Sequence, residues 1–177
     1  MISISAMEKY IQQDFNTIRL VEINPADLEF EERVRMSCFY CGKYGNNWKC
    51  PPNIPNLDYQ KMVREFQYGV FVVNRMEFVE ETYAEIRSSS SVTLHKALLK
   101  MEQYMWNHNV SPVLSFIGGS CKLCRNGCGK EQCNNPYESR TPLEAIGVNV
   151  IKSAKKYGIE VNFPPKDFMM RIGALFW

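Results

Sequence analysis

Apolar side chains recur at helical spacing in the middle of the chain. Between residues 92 and 108, Leu94, Leu98, Met101 and Met105 form one apolar stripe. A stripe of this width is typical of a helix that packs one face against a core. The pattern therefore predicts a helix over residues 92–108.

Shorter helices are predicted where capping residues precede apolar positions. Residues 58–66 begin with an aspartate, which is a good helix cap. Residues 141–144, Thr-Pro-Leu-Glu, combine a capping box with proline at the first helical position. That helix is expected to break near Gly147 and to end at Gly158. The serine run at residues 88–91 favours a loop or a poorly formed helix start.

Strands are predicted where β-branched and aromatic residues form short runs. Residues 69–73 and 113–117 are continuous apolar runs typical of buried strands, and two glycines follow the second run. The alternation over residues 159–163 predicts a further strand, and residues 171–177 predict another. Because helices and strands are interspersed, we expect an α/β or α+β fold with a mixed sheet, flanking helices and two irregular cysteine-rich metal-binding loops.

Composition is that of a folded globular chain. The 177 residues fit one domain spanning 1–177, with 45% hydrophobic and 23% charged residues. The net charge of +2 is too balanced to indicate a nucleic-acid partner. The sequence lacks an apolar run of the ~20 residues that a membrane helix needs, and its start lacks the pattern of a cleaved signal peptide. We therefore expect a cytoplasmic protein with no membrane partner and with reduced thiols.

Seven cysteines carry the main chemical signal, in loops at about residues 38–52 and 119–136. The first loop contains three and the second four: Cys38, Cys41 and Cys50, then Cys121, Cys124, Cys128 and Cys133. A C-x-x-C spacing brings two sulfurs to one metal ion or one cluster. Glycine, asparagine and basic neighbours disfavour a purely hydrophobic role, and the odd number disfavours a disulfide framework. All seven are therefore candidate metal and cofactor ligands.

Three features favour a 4Fe–4S cluster over zinc. Cys50 is followed directly by Pro51, as in ferredoxin-type sequences. Glycines are dense in and beside both loops, which lets backbone N–H groups approach sulfur. Basic residues outnumber acidic ones between Cys121 and Cys133. A zinc site built from four cysteines also fits the second loop and stays open as the alternative.

The first group of cysteines is one ligand short of four. Either another residue completes it, or one iron remains open to water or substrate. His95 lies off the apolar stripe and is expected on the solvated surface. His108 lies near a helix C-terminus, where the dipole favours it without a metal. Lys43 and Arg140 are candidates for contact with an anion. Aromatic residues of the first loop are expected to cover the metal site: Tyr40, Tyr44 and Trp48.

Four motifs together resemble one known family. They are CGKYGNNWKCPP at 41–52, GSCKLC at 119–124, CNNP at 133–136 and RTPLEAIGVNV at 140–150. Over about residues 35–163 the sequence is similar to the predicted metal-binding family named domain of unknown function 2284. The resemblance implies a prokaryotic cytosolic protein, typical of anaerobes, that binds an iron–sulfur cluster, with no settled reaction. It matches all seven cysteines, although Cys128 follows its predecessor at a wider spacing than is usual in the family.

Three functions remain open from the sequence. Two neighbouring clusters suit transfer of electrons to a redox partner protein. An open iron in the three-cysteine site suits chemistry on a small-molecule substrate. A zinc site suits a binding module in which the metal supplies folding energy. The residues do not decide whether the protein is an enzyme.

Overall fold

The computed structural model describes residues 2–177, which form five α-helices and one four-stranded sheet. In chain order the elements are α1 (Ile4–Gln12), β1 (Ile18–Ile23), α2 (Glu32–Phe39), α3 (Tyr59–Val63), β2 (Gly69–Glu77), α4 (Tyr83–Asn107), β3 (Leu114–Phe116), α5 (Val150–Lys155) and β4 (Phe168–Phe176). Short 3₁₀ turns lie at Pro25–Asp27, Glu80–Thr82 and Glu144–Ile146. The α+β alternative of the predicted fold class is confirmed.

The sheet has the order β1-β2-β4-β3, and every neighbouring pair is antiparallel. The longest pairing joins β2 to β4, from Gly69 opposite Phe176 to Glu77 opposite Phe168. The strands β2 and β3 run in the same direction, but β4 lies between them, as in a split β-α-β unit whose crossover is α4. The sheet is therefore antiparallel rather than mixed, because the inserted strand separates the two parallel ones.

Both faces of the sheet are covered, and β2 supplies side chains to each in alternation. Val70 and Val72 pack towards α1 and α4, whereas Phe71 and Val73 pack towards α3, α5 and the turn at Glu144–Ile146. Full burial of a side chain of this size contributes about 1.5–3 kcal/mol. Among residues 2–177 no helix has the length and apolar character needed to cross a membrane.

The helix α4 begins at Tyr83, nine residues before the predicted start, and includes the serine run. Ser90 and Ser91 are 0% and 8% exposed, because their small side chains let the helix approach the sheet closely. The Ser90 carbonyl also accepts a 2.8 Å hydrogen bond from the Asn74 amide of β2. The predicted loop over these serines is wrong, since packing outweighs their weak helix propensity.

The remaining sequence predictions near the C-terminus have mixed outcomes. The chain from residue 141 forms only a 3₁₀ turn before Gly147, whose φ of 95° ends it, and α5 follows. The predicted strand over residues 159–163 is wrong, since this segment is irregular and Phe163 is 88% exposed. Pro164 and Pro165 follow directly and lack the N–H groups that a ladder requires.

Candidate metal centre

The first cysteine segment, residues 38–52, leaves α2 and continues through consecutive turns. Cys38 belongs to the last turn of α2, which corrects the expectation that the whole segment is irregular. The Cys41 N–H donates to the Cys38 carbonyl at 3.1 Å, and the Cys50 N–H donates to the Asn47 carbonyl at 3.0 Å. Along these turns Cys38 is half-buried, Cys41 is exposed and Cys50 is buried. The three thiols thus reach from the surface into the interior.

The second cysteine segment, residues 119–136, lies in a long loop whose two ends are hydrogen-bonded to each other. The Ile117 N–H donates to the Thr141 carbonyl at 3.0 Å, and the Leu143 N–H donates to the Ile117 carbonyl at 2.9 Å. These bonds hold both ends of the loop beside the end of β3. Its four cysteines, Cys121, Cys124, Cys128 and Cys133, are all half-buried.

The two segments pack against each other. The amide of Asn47, which is 4% exposed, donates to the Cys121 carbonyl at 3.1 Å. The indole N–H of Trp48 donates to the Gly129 carbonyl at 2.8 Å. Residues separated by more than seventy positions therefore share one polar interface. Sequence reasoning missed Asn47, because nothing in its local pattern distinguishes it from its exposed neighbour Asn46.

The thiols of both segments influence one another. Burial, and then repulsion by four other thiols, raises the pKa of Cys50 to about 12. These four neighbours come from both segments: Cys38, Cys41, Cys121 and Cys128. Burial likewise raises the pKa of Cys121, and the other cysteines of its own segment add to this effect. The neutral thiol is therefore favoured at Cys50 and Cys121 until a cation compensates the thiolate.

Polar groups contact three of the sulfur atoms. The Asn135 amide donates to Cys124 Sγ at 3.1 Å, and Ser139 Oγ lies 3.4 Å from Cys133 Sγ. Cys38 Sγ lies 3.8 Å from the Glu144 carbonyl. Asn135 and Ser139 were not singled out from the sequence, although Asn135 lies two residues after Cys133. Contacts of this kind orient and tune metal ligands.

Glu144 links the two cysteine segments. Its backbone carbonyl contacts Cys38, while its carboxylate accepts a hydrogen bond from the Gly119 N–H at 3.3 Å. Burial raises the pKa of this carboxyl group, and the backbone N–H of Gly119 opposes that shift. The sequence suggested only a helix-capping role for Glu144.

Each of the two histidines already forms a hydrogen bond to a backbone carbonyl oxygen. His95 is 1% exposed, so its expected place on the solvated surface is wrong. It is buried because α4 packs beneath the second segment, where its Nε2 donates to the Glu138 carbonyl at 2.8 Å. His108 is exposed at the end of α4 and its Nδ1 bonds the Tyr104 carbonyl at 2.7 Å, consistent with the predicted role without a metal.

Other expectations about the loops need correction. Tyr40 is 77% exposed and does not cover the thiols, whereas Trp48 is half-buried between the segments. Arg140 is bonded to Glu102 and is not available to an anion. Lys43, in contrast, lines a cavity beside the second segment.

The donors suit a soft metal centre without forming a closed ligand set. All seven cysteines are free thiols. Within residues 2–177, no three cysteine, histidine or carboxylate side chains are arranged as a group able to hold a metal ion. Thiols are nevertheless the ligands that zinc and iron–sulfur clusters prefer, so the chemistry of the donor set fits these groups.

Comparison with protein families agrees with the chemistry of these side chains. The model of the DUF2284 family, described as predicted metal-binding proteins, matches residues 21–177. The chain belongs to this family. The range matched by DUF2284 runs from β1 to β4 and includes both cysteine segments, which confirms the resemblance seen in the motifs. No curated protein and no solved structure was found to match the chain.

Proposed function

We propose that this DUF2284 protein is an iron–sulfur protein in which both cysteine segments supply thiolate ligands. Cys121, Cys124, Cys128 and Cys133 would hold one 4Fe–4S cluster. Cys38, Cys41 and Cys50 would hold a second cluster, which either keeps one open iron or takes a ligand from elsewhere. The cluster would supply one-electron chemistry or a Lewis-acidic iron.

The proposal rests on one observation, the packing of the two cysteine segments against each other. The Asn47 amide donates to the Cys121 carbonyl at 3.1 Å, and the Trp48 indole N–H donates to the Gly129 carbonyl at 2.8 Å. Cysteines used only as small hydrophobic residues would not need neighbours of their own kind from a distant loop. Two neighbouring metal-binding segments explain this packing.

Two further observations support an anionic, thiolate-bound metal centre. The Asn135 amide donates to a cysteine sulfur, and hydrogen bonds to sulfur tune cluster potentials. Basic side chains line the space beside the second segment, where they can compensate the charge of a thiolate-bound centre. Zinc bound by the four cysteines of the second segment is the alternative, with a structural rather than a redox role.

The role that fits best is electron transfer to a partner protein, with chemistry at an open iron as the second candidate. Cys41 is exposed, and so are Phe39 and Tyr40 beside it. A cluster held by the first segment would therefore lie near a surface that a redox partner can reach. A cytoplasmic location would keep the thiols reduced before the cluster is assembled.

Anaerobic purification tests the proposal. We expect about four iron and four sulfide per chain for one cluster, or about twice that for two. We also expect a visible absorption band and an electron paramagnetic resonance signal on reduction. Cys124→Ser should lose the iron and the absorption of the cluster held by the second segment. Ser37→Ala, which removes an exposed hydroxyl group beside Cys38, is the control and should retain both.

The outcomes separate the candidates. Zinc without iron or sulfide would favour the zinc-binding module. Reversible one-electron reduction without a response to small ligands would favour electron transfer. A spectrum that small ligands perturb, lost on Cys50→Ser, would favour the open iron. A colourless protein that contains no metal after strictly anaerobic purification would refute metal binding itself.

A further inference from the structure

A cavity of about 630 Å³ lies against the second cysteine segment. All four cysteines of that segment lie in its wall, together with Trp48 and three asparagines. Five cationic side chains also line it: Lys43, Lys49, Lys96, Lys122 and Arg125. Across the described range 2–177, no aspartate or glutamate belongs to this wall. The cavity is therefore strongly positive in a chain whose net charge is only +2.

The five cations are not used by the fold. Within the part of the chain that the structure describes, none of them forms an ion pair with a carboxylate, although seven other basic residues do. Like charges held close together repel each other and are destabilising unless something compensates them. Their concentration on one concave surface therefore indicates a negatively charged occupant.

A metal centre alone does not account for all five charges. Four thiolates on a dipositive zinc ion or a dipositive 4Fe–4S core leave a net charge of about −2. A second dipositive 4Fe–4S core held by three thiolates would add about −1, so the five cations exceed the charge of both centres by about two. The excess holds whichever metal the cysteines bind.

Lys96 shows that the positive wall is not a by-product of the loop composition. It lies on α4, outside both cysteine segments, and shares the wall with Ser88 and Val92 of the same helix. These three positions are four residues apart, so they lie on one helix face. The helix thus adds a cation to a cavity whose other cations come from the two segments.

We propose that this cavity binds a small organic anion with two negative charges, as a phosphate ester or a dicarboxylate carries. Its volume lies within the ~300–1,000 Å³ typical of small-molecule sites. Lysine serves as a point charge for phosphate, and arginine can bind a carboxylate or phosphate with two parallel hydrogen bonds. A concave site of this size and the low net charge favour a small ligand over a nucleic-acid strand.

Calorimetric titration of the full-length protein tests this proposal, with inorganic phosphate and succinate as separate probes. Each probe is titrated into metal-free and metal-loaded protein at low ionic strength. We expect saturable binding of at least one probe in both forms. Lys96→Gln should weaken it by about tenfold, since a charge-assisted hydrogen bond contributes at least that much. Lys155→Gln removes an exposed lysine from α5 and is the matched control, with unchanged affinity expected.

The same samples separate this site from the metal function. Metal content should be equal in wild type and Lys96→Gln, because the substitution removes none of the seven cysteine ligands. A protein that binds an anion but takes up no metal would support the anion site and refute the metal centre. Three results would overturn the anion site. The first is that neither probe binds to either form of the protein, and the second is that Lys96→Gln and Lys155→Gln weaken binding equally. The third result is a protein that binds an oligonucleotide but neither small anion.

Discussion

The contact between Asn135 and Cys124 gives the sharpest test at the residue scale. The Asn135 amide donates a 3.1 Å hydrogen bond to Cys124 Sγ. Such bonds stabilise the more negative, reduced form of a cluster. We expect Asn135→Ala to lower the reduction potential measured by voltammetry while iron content stays equal. Asn134→Ala, at an exposed neighbouring position, is the control. An unchanged potential in Asn135→Ala would show that this sulfur is not part of the redox centre.

The fold requires glycine at position 118, because there is no space for a larger side chain there. A methyl group there would lie 2.3 Å from the Ile172 carbonyl oxygen of β4. Relief of such a clash needs a backbone shift, which typically costs about 1–3 kcal/mol. We expect Gly118→Ala to lower the free energy of unfolding by that amount in urea denaturation. At Gly42 an added methyl group meets no atom within 4 Å, so Gly42→Ala should be nearly neutral. Equal stability of the two variants would contradict this prediction.

His95 predicts how stability depends on pH. Burial, and then the Arg140 charge, lowers the pKa of His95 from its ordinary 6.5, although Glu102 and Glu138 oppose the shift. The unfolded chain then binds more protons than the native one below pH 6.5. We expect full stability above that pH and a decline as pH falls from there towards the lowered native value. His95→Gln should flatten this dependence in denaturation curves, and an equally steep dependence in wild type and His95→Gln would contradict the prediction.

At the scale of elements, α4 holds the exit of the second cysteine segment. Glu102, with a side chain 3% exposed, accepts hydrogen bonds from Arg140 and Ser115. Arg140 in turn donates to the Tyr137 and Ser139 carbonyls, at 2.8 and 3.0 Å. One buried ion pair thus joins the helix, β3 and the chain that follows Cys133.

Removal of one partner from this pair should be costly. Glu102→Ala leaves a largely buried arginine without its carboxylate, and losses of about 3–5 kcal/mol are typical. Chemical denaturation should show a loss of that size. Glu77→Ala breaks an exposed pair with Arg75 and should cost less than about 1 kcal/mol. A loss below 1 kcal/mol for Glu102→Ala would mean that this anchor is dispensable.

The sequence predicted elements well where local patterns determine them. The stripe from Leu94 to Met105 identified α4, and the apolar runs identified β2, β3 and β4. It failed at Ser90, where packing against the sheet stabilises the helix. It also failed at residues 159–163, where the proline pair that follows prevents a strand. It indicated which residues are candidate ligands, because C-x-x-C spacing is local. It did not reveal the contacts of Asn47 or Glu144, because these join segments distant in sequence.

At the scale of the whole molecule, the proposed metal centres lie in two segments that are distant in sequence and packed together in the fold. The segments are separated by α3, β2, α4 and β3, so the packing between them would be lost on unfolding. A ligand that binds only the folded state stabilises it by about 4 kcal/mol at a thousandfold excess over its Kd.

We expect removal of the metal under reducing, anaerobic conditions to lower the unfolding temperature in calorimetry. Reconstitution should restore it fully in the wild type but only in part in Cys50→Ser, because that variant lacks one ligand of the first centre and keeps all four cysteines of the second segment. Ser37→Ala should behave as the wild type. If loaded and metal-free proteins unfold at the same temperature, the metal binds the unfolded chain equally well. In that case the packing of the two segments would not contribute to metal binding.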